Sequence, residues 1–219
     1  EAAEPLSALE ARIIAGGVSP LGGAKPKALI DIDGEQWVIK FFNHEPIDSP
    51  LIEHATMTLA ARAGITVAPT RIIKLVDANA LAVRRFDRDA ARRIHSISAG
   101  TAIRAATAAG AEPDMGYPAL ARILRRIGIS QDDLNLRDAR ELFRRMVFNI
   151  LVSNDDDHLR NHAFLFDVDG AGWRLSPLYD VVPRPGVAHD RLLHLGVGEQ
   201  GKAATLDNAT APDTATPFS

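Results

Sequence analysis

The sequence contains no cysteine. Disulfides, zinc–thiolate sites and a cysteine nucleophile are therefore excluded, and the composition fits a cytoplasmic protein. No apolar run is long enough to span a bilayer, and the N-terminus has no signal-peptide pattern. Positive charge is not in excess either, since the formal net charge is −3 over 219 residues. That argues against broad non-specific binding to nucleic acid while leaving room for a local basic face. Methionine is missing from position 1, which is Glu1, and little that can pack follows Gly198. We therefore expect further residues on both sides of the sequence. What is present is 46% hydrophobic and 24% charged, enough for one domain or one domain with two lobes.

The chain is organised around Asn154-Asp155-Asp156-Asp157-His158-Leu159-Arg160-Asn161. Three adjacent carboxylates repel one another and hold water, so they rarely follow an apolar helix unless the charge is used. Here they follow Arg140 to Val152, which has apolar residues at helical spacing. A strand-like run, Ala163 to Asp167, comes next. Asp156 and Asn161 have the D-x-x-x-x-N spacing of the catalytic loop of phosphoryl-transfer enzymes of the protein-kinase type. Such chemistry needs a carboxylate beside the attacking hydroxyl and oxygen ligands on a metal bridging the phosphates. The spacing by itself is common in surface loops, and a solvated acidic loop is its plainest alternative. Another is a metal-dependent hydrolase using Asp155, Asp156, Asp157, His158 and His162, the two histidines lying at i,i+4 spacing.

Other stretches fit the first reading. Glu1 to Ala15 suggests a short helix. Gly16 to Lys27 is a glycine-rich basic loop whose backbone can approach phosphate oxygens. Ala28 to Ile32 and Gln36 to Phe42 read as a hairpin about Asp33-Gly34. Lys40 lies in the second strand among apolar neighbours, and Glu53 lies early in a helix from Pro50 to Ala63. The two are candidates for the lysine–glutamate pair of a phosphate-binding strand; a surface lysine and a helix-end charge are the alternatives. Strands follow at Val67 to Val76 and Leu81 to Phe86, then Arg84 to Arg88 as a hinge. Arg92 to Ala111 has few large apolar residues after Ile97 and reads as a partly mobile connection. Tyr117 to Ile127 and Leu136 to Val152 are amphipathic helices. Asp180 comes one hairpin after the acidic loop, where a second metal-binding aspartate would sit, although Val181 and Val182 follow it rather than Phe-Gly.

In order and spacing these stretches resemble the HipA family of serine/threonine kinases, toxins of bacterial toxin–antitoxin pairs. The likeness runs from about Gly16 to about Asn208. It rests on Gly22-Gly23-Ala24-Lys25-Pro26-Lys27, Val38-Ile39-Lys40-Phe41, Arg85-Phe86-Asp87-Arg88, Asn154 to Asn161, Leu175 to Asp180 and Ala204 to Asn208. The resemblance implies an α+β, two-lobed protein-kinase-like fold. A β-rich lobe would cover residues 1–83, a hinge 84–88 and a helical lobe 89–219. It implies ATP and magnesium as cofactors, with Asp156 as general base and Asn161 and Asp180 on the metal. Lys40 would hold the phosphates, with His158 and Arg160 nearby. The backbone of Arg84, Arg85 and Phe86 would hold adenine, Tyr179 would contact the nucleotide, and the loop of Gly22, Gly23, Ala24 and Lys27 would cover it. Ser19 matches the serine that such kinases phosphorylate on themselves.

The implied substrate is a protein such as an aminoacyl-tRNA synthetase. The implied partner is a helix-turn-helix antitoxin of HipB type, with DNA reached only through it. A second reading is a catalytically weak kinase-fold partner of that antitoxin, acting as a corepressor. The sequence departs from the family in having few residues before the glycine-rich loop, and Arg84 stands where a glutamate is common in the hinge.

Overall fold

The computed structural model describes residues 27–42, 47–75, 78–89, 92–184 and 191–219. Strands β1 (Lys27–Ile32) and β2 (Glu35–Lys40) form an antiparallel hairpin in which Ile32 faces Glu35. Asp33 and Gly34 make the two-residue turn with φ of 56° and 81°. That geometry needs left-handed backbone at both positions, which is why Asp-Gly specifies it. Two further strands, β3 (Thr70–Lys74) and β4 (Asn79–Arg84), complete a four-stranded sheet in the order β1-β2-β4-β3. Alternation places Ala28, Ile30, Trp37 and Ile39 on one face, packed with Ile73, Ala80 and Ala82.

Helix α1 (Ser49–Arg62) crosses from this sheet toward the second lobe. Asp48 caps it by accepting from the Leu51 N–H at 3.2 Å, and Pro50 lies in its first turn, where a missing N–H costs nothing. Gly64 stops it at φ 79°. The inner face of α1 packs Met57 and Ala60 against Ile65, Phe148, Leu178 and Val181, so the helix touches the segments that carry the acidic loop and Asp180.

The second lobe has helices α2 (Ala99–Ala106), α3 (Tyr117–Ile127) and α4 (Leu134–Val152). Small pairs β5 (Arg88–Asp89) and β6 (Arg92–Arg93) precede a three-stranded sheet of β7 (Ser96–Ser98), β8 (Ala163–Asp167) and β9 (Gly172–Leu175). Leu120, Leu124, Leu142, Met146 and Phe164 form the centre of its core. Arg145 is buried within α4, where it meets Glu141 at 3.2 Å. Glu141 also accepts from the Thr66 N–H at 2.9 Å. Asp138 takes both ends of the Arg174 guanidinium at 2.7 and 3.0 Å. Both carboxylates near the start of α4 thus tie other segments to the helix. Among the described residues no helix is long and apolar enough to cross a membrane.

Two expectations are corrected. The stretch from Arg92 to Ala111 contains β6, β7 and α2 rather than a mobile connection. Its contacts come from small residues: Ala99 and Ala102 are buried and lie in the core with Ile103, so large apolar residues were the wrong signal. The residues after Gly198 also pack. They form α5 (Leu206–Thr210), α6 (Pro212–Ala215) and a 3-10 turn at Thr216–Phe218. Ala204, Ala209 and Phe218 enter the core, and Asn208 donates to the carbonyls of Gly201 and Ala203. The helix expected at Glu1 to Ala15 lies outside the described residues.

Phe218 is 4% exposed and its ring lies 5.2 Å from that of Phe143. Truncation to alanine leaves a cavity in a well-packed site. We expect Phe218→Ala to cost about 3 kcal/mol, read as a lower urea midpoint. An unchanged midpoint would show that the C-terminal turn adds nothing to the core.

Candidate active site

Lys40 ends strand β2 and is 8% exposed. Its Nζ lies 2.6 Å from Glu53 Oε1 and 2.5 Å from Asp180 Oδ1. Glu53, on α1, is 1% exposed. The alternatives of a surface lysine and a helix-end glutamate therefore fall. Burial alone would lower the Lys40 ammonium, but the Glu53 and Asp180 carboxylates raise it above its ordinary 10.5. Burial alone would raise the Asp180 carboxyl, but Lys40, followed by Lys27 and His158, holds it below its ordinary 3.8. Lys40 pairs in register with Lys27 across the β1–β2 ladder. Asp180 adopts φ 62°, which turns its side chain back toward the sheet.

The acidic loop faces the same point. Asp156 is exposed, and its backbone carbonyl accepts from the His158 N–H at 2.9 Å and from Asn161 Nδ2 at 3.1 Å. Asn161 Nδ2 also reaches the Asp180 carbonyl at 3.4 Å. Asn161 thus joins the loop to the Asp180 segment through its amide nitrogen and keeps its Oδ1 as a spare acceptor. Asp155 pairs with Arg184 at 3.1 Å. The ring of His158 meets that of His194 edge-on at 6.0 Å.

Around the expected hinge, Arg84 pairs with Glu35 at 2.6 Å, while Arg85 and Arg88 both pair with Asp87. The Arg84 N–H donates to the Pro69 carbonyl and the Arg85 N–H to the Gln36 carbonyl, both at 2.9 Å. Phe86 lies against Tyr179, their ring centroids 5.1 Å apart. The Tyr179 hydroxyl donates to the Arg160 carbonyl at 2.6 Å. Burial, with Asp180 nearby, raises that hydroxyl above its ordinary range. The structure therefore brings Lys27, Lys40, His158, Asn161 and Asp180 together, with Asp156 and Arg160 on the adjoining loop and Arg84, Arg85, Phe86 and Tyr179 at the strand end. Ser19, Gly22, Gly23, Ala24 and Lys25 lie outside the described residues.

Sequence reasoning missed what lies beneath the loop. Asp157 is 1% exposed, not solvated. One of its oxygens accepts from the Tyr117 hydroxyl and the other contacts His162 Nε2 at 2.8 Å. Asn149 Nδ2 donates to Tyr117 Oη at 3.0 Å, and Asn154 Nδ2 donates to Asn149 Oδ1 at 3.1 Å. Burial and the Asp157 charge push the Tyr117 hydroxyl well above its ordinary value, which keeps the donated proton on Oη. The one readable signal was Asn149, a polar residue within an apolar helix face. This arrangement also removes the hydrolase reading. His162 is fully buried and committed to Asp157, and residues Leu159–Asn161 form a 3-10 turn, so the i,i+4 pair never forms. Among the described residues no group of three or more His, Cys, Asp or Glu could hold a metal.

A four-stranded sheet with a lysine–glutamate pair, joined to a helical lobe with an Asp156–Asn161 loop, is a two-lobed protein-kinase-like fold. The model of the HipA-like C-terminal domain family matches residues 19–217, and the chain belongs to that family. A Haemophilus influenzae protein named "Putative kinase" is 28% identical over 167 residues, which is 69% of this chain and 47% of that protein. Among solved structures, the chain is similar to HipA of Shewanella oneidensis, solved with HipB and its operator DNA. The TM-score is 0.64 at 19% identity, over 85% of this chain and 49% of that one. It is also similar to the Helicobacter pylori proinflammatory kinase CtkA, with a TM-score of 0.56 at 14% identity, over 70% and 53%. These structural likenesses establish the fold. The chain spans about half the length of each of these proteins.

A carboxylate whose folded value is depressed contributes stability above its ordinary value and loses it as pH falls through the folded one. Asp180→Asn should therefore destabilise the protein at pH 7, and by progressively less below about pH 4, where the wild type loses the pair itself. Urea midpoints of both proteins between pH 7 and pH 3 check this. A gap that stays constant across that range would show that the Lys40–Asp180 pair is not the source of the difference.

Proposed function

We propose that this chain is the catalytic part of an ATP- and magnesium-dependent protein serine/threonine kinase of HipA type. The observation that carries the reading is the convergence of Lys40, Glu53 and Asp180 with a loop whose Asn161 amide bonds the backbone of both Asp156 and Asp180. Asp156 carries an exposed carboxylate with which to accept the proton of an attacking hydroxyl. Magnesium keeps several waters and takes phosphate oxygens with one or two carboxylates, so a full protein cage is not needed. The spare Oδ1 of Asn161 and the Asp180 carboxylate fit that demand as hard oxygen ligands. Bound with ATP, the ion would neutralise charge on the phosphates. Asp180 would then exchange its ammonium partner for the metal, and Lys40, still held by Glu53, would turn its charge to the phosphates.

At the strand end, two of the three backbone N–H groups assigned to adenine are already used within the chain. The Phe86 N–H is the remaining donor for the base, with the Phe86 and Tyr179 rings beside it. The glycine-rich loop with Ser19 would close over the nucleotide, and Ser19 would be its autophosphorylation site. By family kinship we assign the chain to a toxin–antitoxin pair, with a DNA-binding antitoxin of HipB type as partner. Its substrate would be a protein of the translation apparatus, such as an aminoacyl-tRNA synthetase.

The test separates chemistry from binding. Asp156→Asn should cut phosphate transfer from labelled ATP by about a hundredfold or more, with calorimetric ATP affinity close to wild type. Near-normal transfer by this variant would remove Asp156 from the mechanism. Asp180→Ala should weaken nucleotide binding at limiting magnesium by about tenfold or more. Equal affinity in a magnesium titration would return Asp180 to a purely structural pairing with Lys40.

A further inference from the structure

The carboxylate beside Asp156 is enclosed while Asp156 itself faces solvent. Enclosing a carboxylate is costly unless both oxygens are bonded. Asp157 meets that condition through Tyr117 on one oxygen and His162 on the other. Tyr117 is the first residue of α3, and His162 immediately precedes β8. From Tyr117 the bonds run to Asn149 on α4 and back to Asn154, the first residue of the loop. The Asn154 N–H also donates to the Asn149 carbonyl at 3.0 Å, and the His162 carbonyl accepts from the Ala99 N–H at 2.9 Å. The loop is thus pinned at its start, middle and end to three helices: α4 through Asn149, α3 through Tyr117 and α2 through Ala99. All five side chains are at most 1% exposed.

We infer that Asp157, Tyr117, His162, Asn149 and Asn154 form a positioning network that fixes where the Asp156 carboxylate points relative to Asn161. The inference rests on the reading of Asp156 as the proton acceptor. Asp156 and Asp157 are adjacent and occupy opposite sides of the loop. The buried bonds hold one side, and the His158 N–H and Asn161 Nδ2 hold the Asp156 carbonyl on the other. A purely apolar anchor would keep the loop down but would leave its register free. Directional bonds to both Asp157 oxygens do not. Loosening this anchor acts first on Asp156, whose neighbour Asp157 it holds, while Lys40, Glu53 and Asp180 stay fixed by their own ion pairs. Because misplacement by about 1 Å costs about a hundredfold in rate, the effect belongs in kcat rather than in ATP affinity.

Tyr117→Phe keeps the ring, including its edge contact with His162 at 5.5 Å, and removes only the hydroxyl. Asn154→Ala breaks the other end of the network. Each is made in the full-length protein and checked for folding by circular dichroism and urea midpoint. We expect kcat for phosphate transfer to fall at least tenfold, with ATP KM and calorimetric affinity within twofold of wild type. His162→Gln, which keeps a donor to Asp157, should recover most of the rate lost in His162→Ala. Should Tyr117→Phe fail to fold, Asn154→Ala decides the matter. Folded variants with wild-type kcat, or with kcat and ATP affinity lost in parallel, overturn the positioning role. Asp156→Asn is assayed alongside. If it retains activity the parent reading fails, whereas its silence together with active network variants removes only this inference.

Discussion

Lys40 is the group on which the arrangement depends. An ammonium at 8% exposure is tolerated only with counter-charge in direct contact. Its two partners come from helix α1 and from the segment after β9, so satisfying one side chain brings three separate parts of the chain to one point. The pairing does not balance. Two carboxylates face the one Lys40 ammonium; Lys27, whose charge also acts on Asp180, offsets that excess, and Asp156 on the neighbouring loop adds a further negative charge. The magnesium proposed for Asn161 and Asp180 would reduce the like-charge repulsion among the carboxylates there.

Beneath that centre the chain solves the opposite problem. The three consecutive aspartates cannot all face one volume without strong repulsion. The loop separates them: Asp155 turns to Arg184, Asp156 to solvent and Asp157 into the protein against Tyr117 and His162. A 3-10 turn at Leu159–Asn161 then brings Asn161 back toward Asp156. Charge repulsion, the feature that marks this stretch in the sequence, is relieved by distributing the carboxylates over three environments.

That distribution also explains how much was legible beforehand. The hairpin at Asp33-Gly34 could be read because turn chemistry is local. Helices α3 and α4 could be read because their apolar residues repeat at helical spacing. Lys40 and Glu53 could be paired because a strand lysine followed by a helix glutamate is the arrangement of a kinase phosphate-binding strand. The likeness in motif order led to the family that the match over residues 19–217 establishes. Asp157 was not legible, because its partners at 117 and 162 and their support at 149 come from three elements with no shared pattern. Packing by small residues, as at Ala99, Ala102 and Ala209, was invisible to a search for large apolar side chains. The C-terminal residues were underestimated for the same reason, since their burial relies on alanines, an asparagine bonded to backbone carbonyls and a single phenylalanine.

Two residues with left-handed backbone bracket the site, and neither is glycine. Ser153 ends α4 at φ 58°, and Asp180 adopts φ 62°. A side chain in that region costs about 1 kcal/mol relative to glycine, so side chains kept there must be used. Both are. Ser153 Oγ accepts from Arg191 at 2.9 Å while its carbonyl accepts from the Arg184 N–H at 3.0 Å, which fixes the start of the acidic loop. Asp180 reaches Lys40 with its carboxylate and Asn161 with its carbonyl. Glycine would relieve the backbone at either position and keep the carbonyl bonds, but would lose the side-chain bonds to Arg191 and Lys40. The strain is therefore located where the chain changes direction around the candidate centre, and its cost is offset by the contacts that hold that centre together.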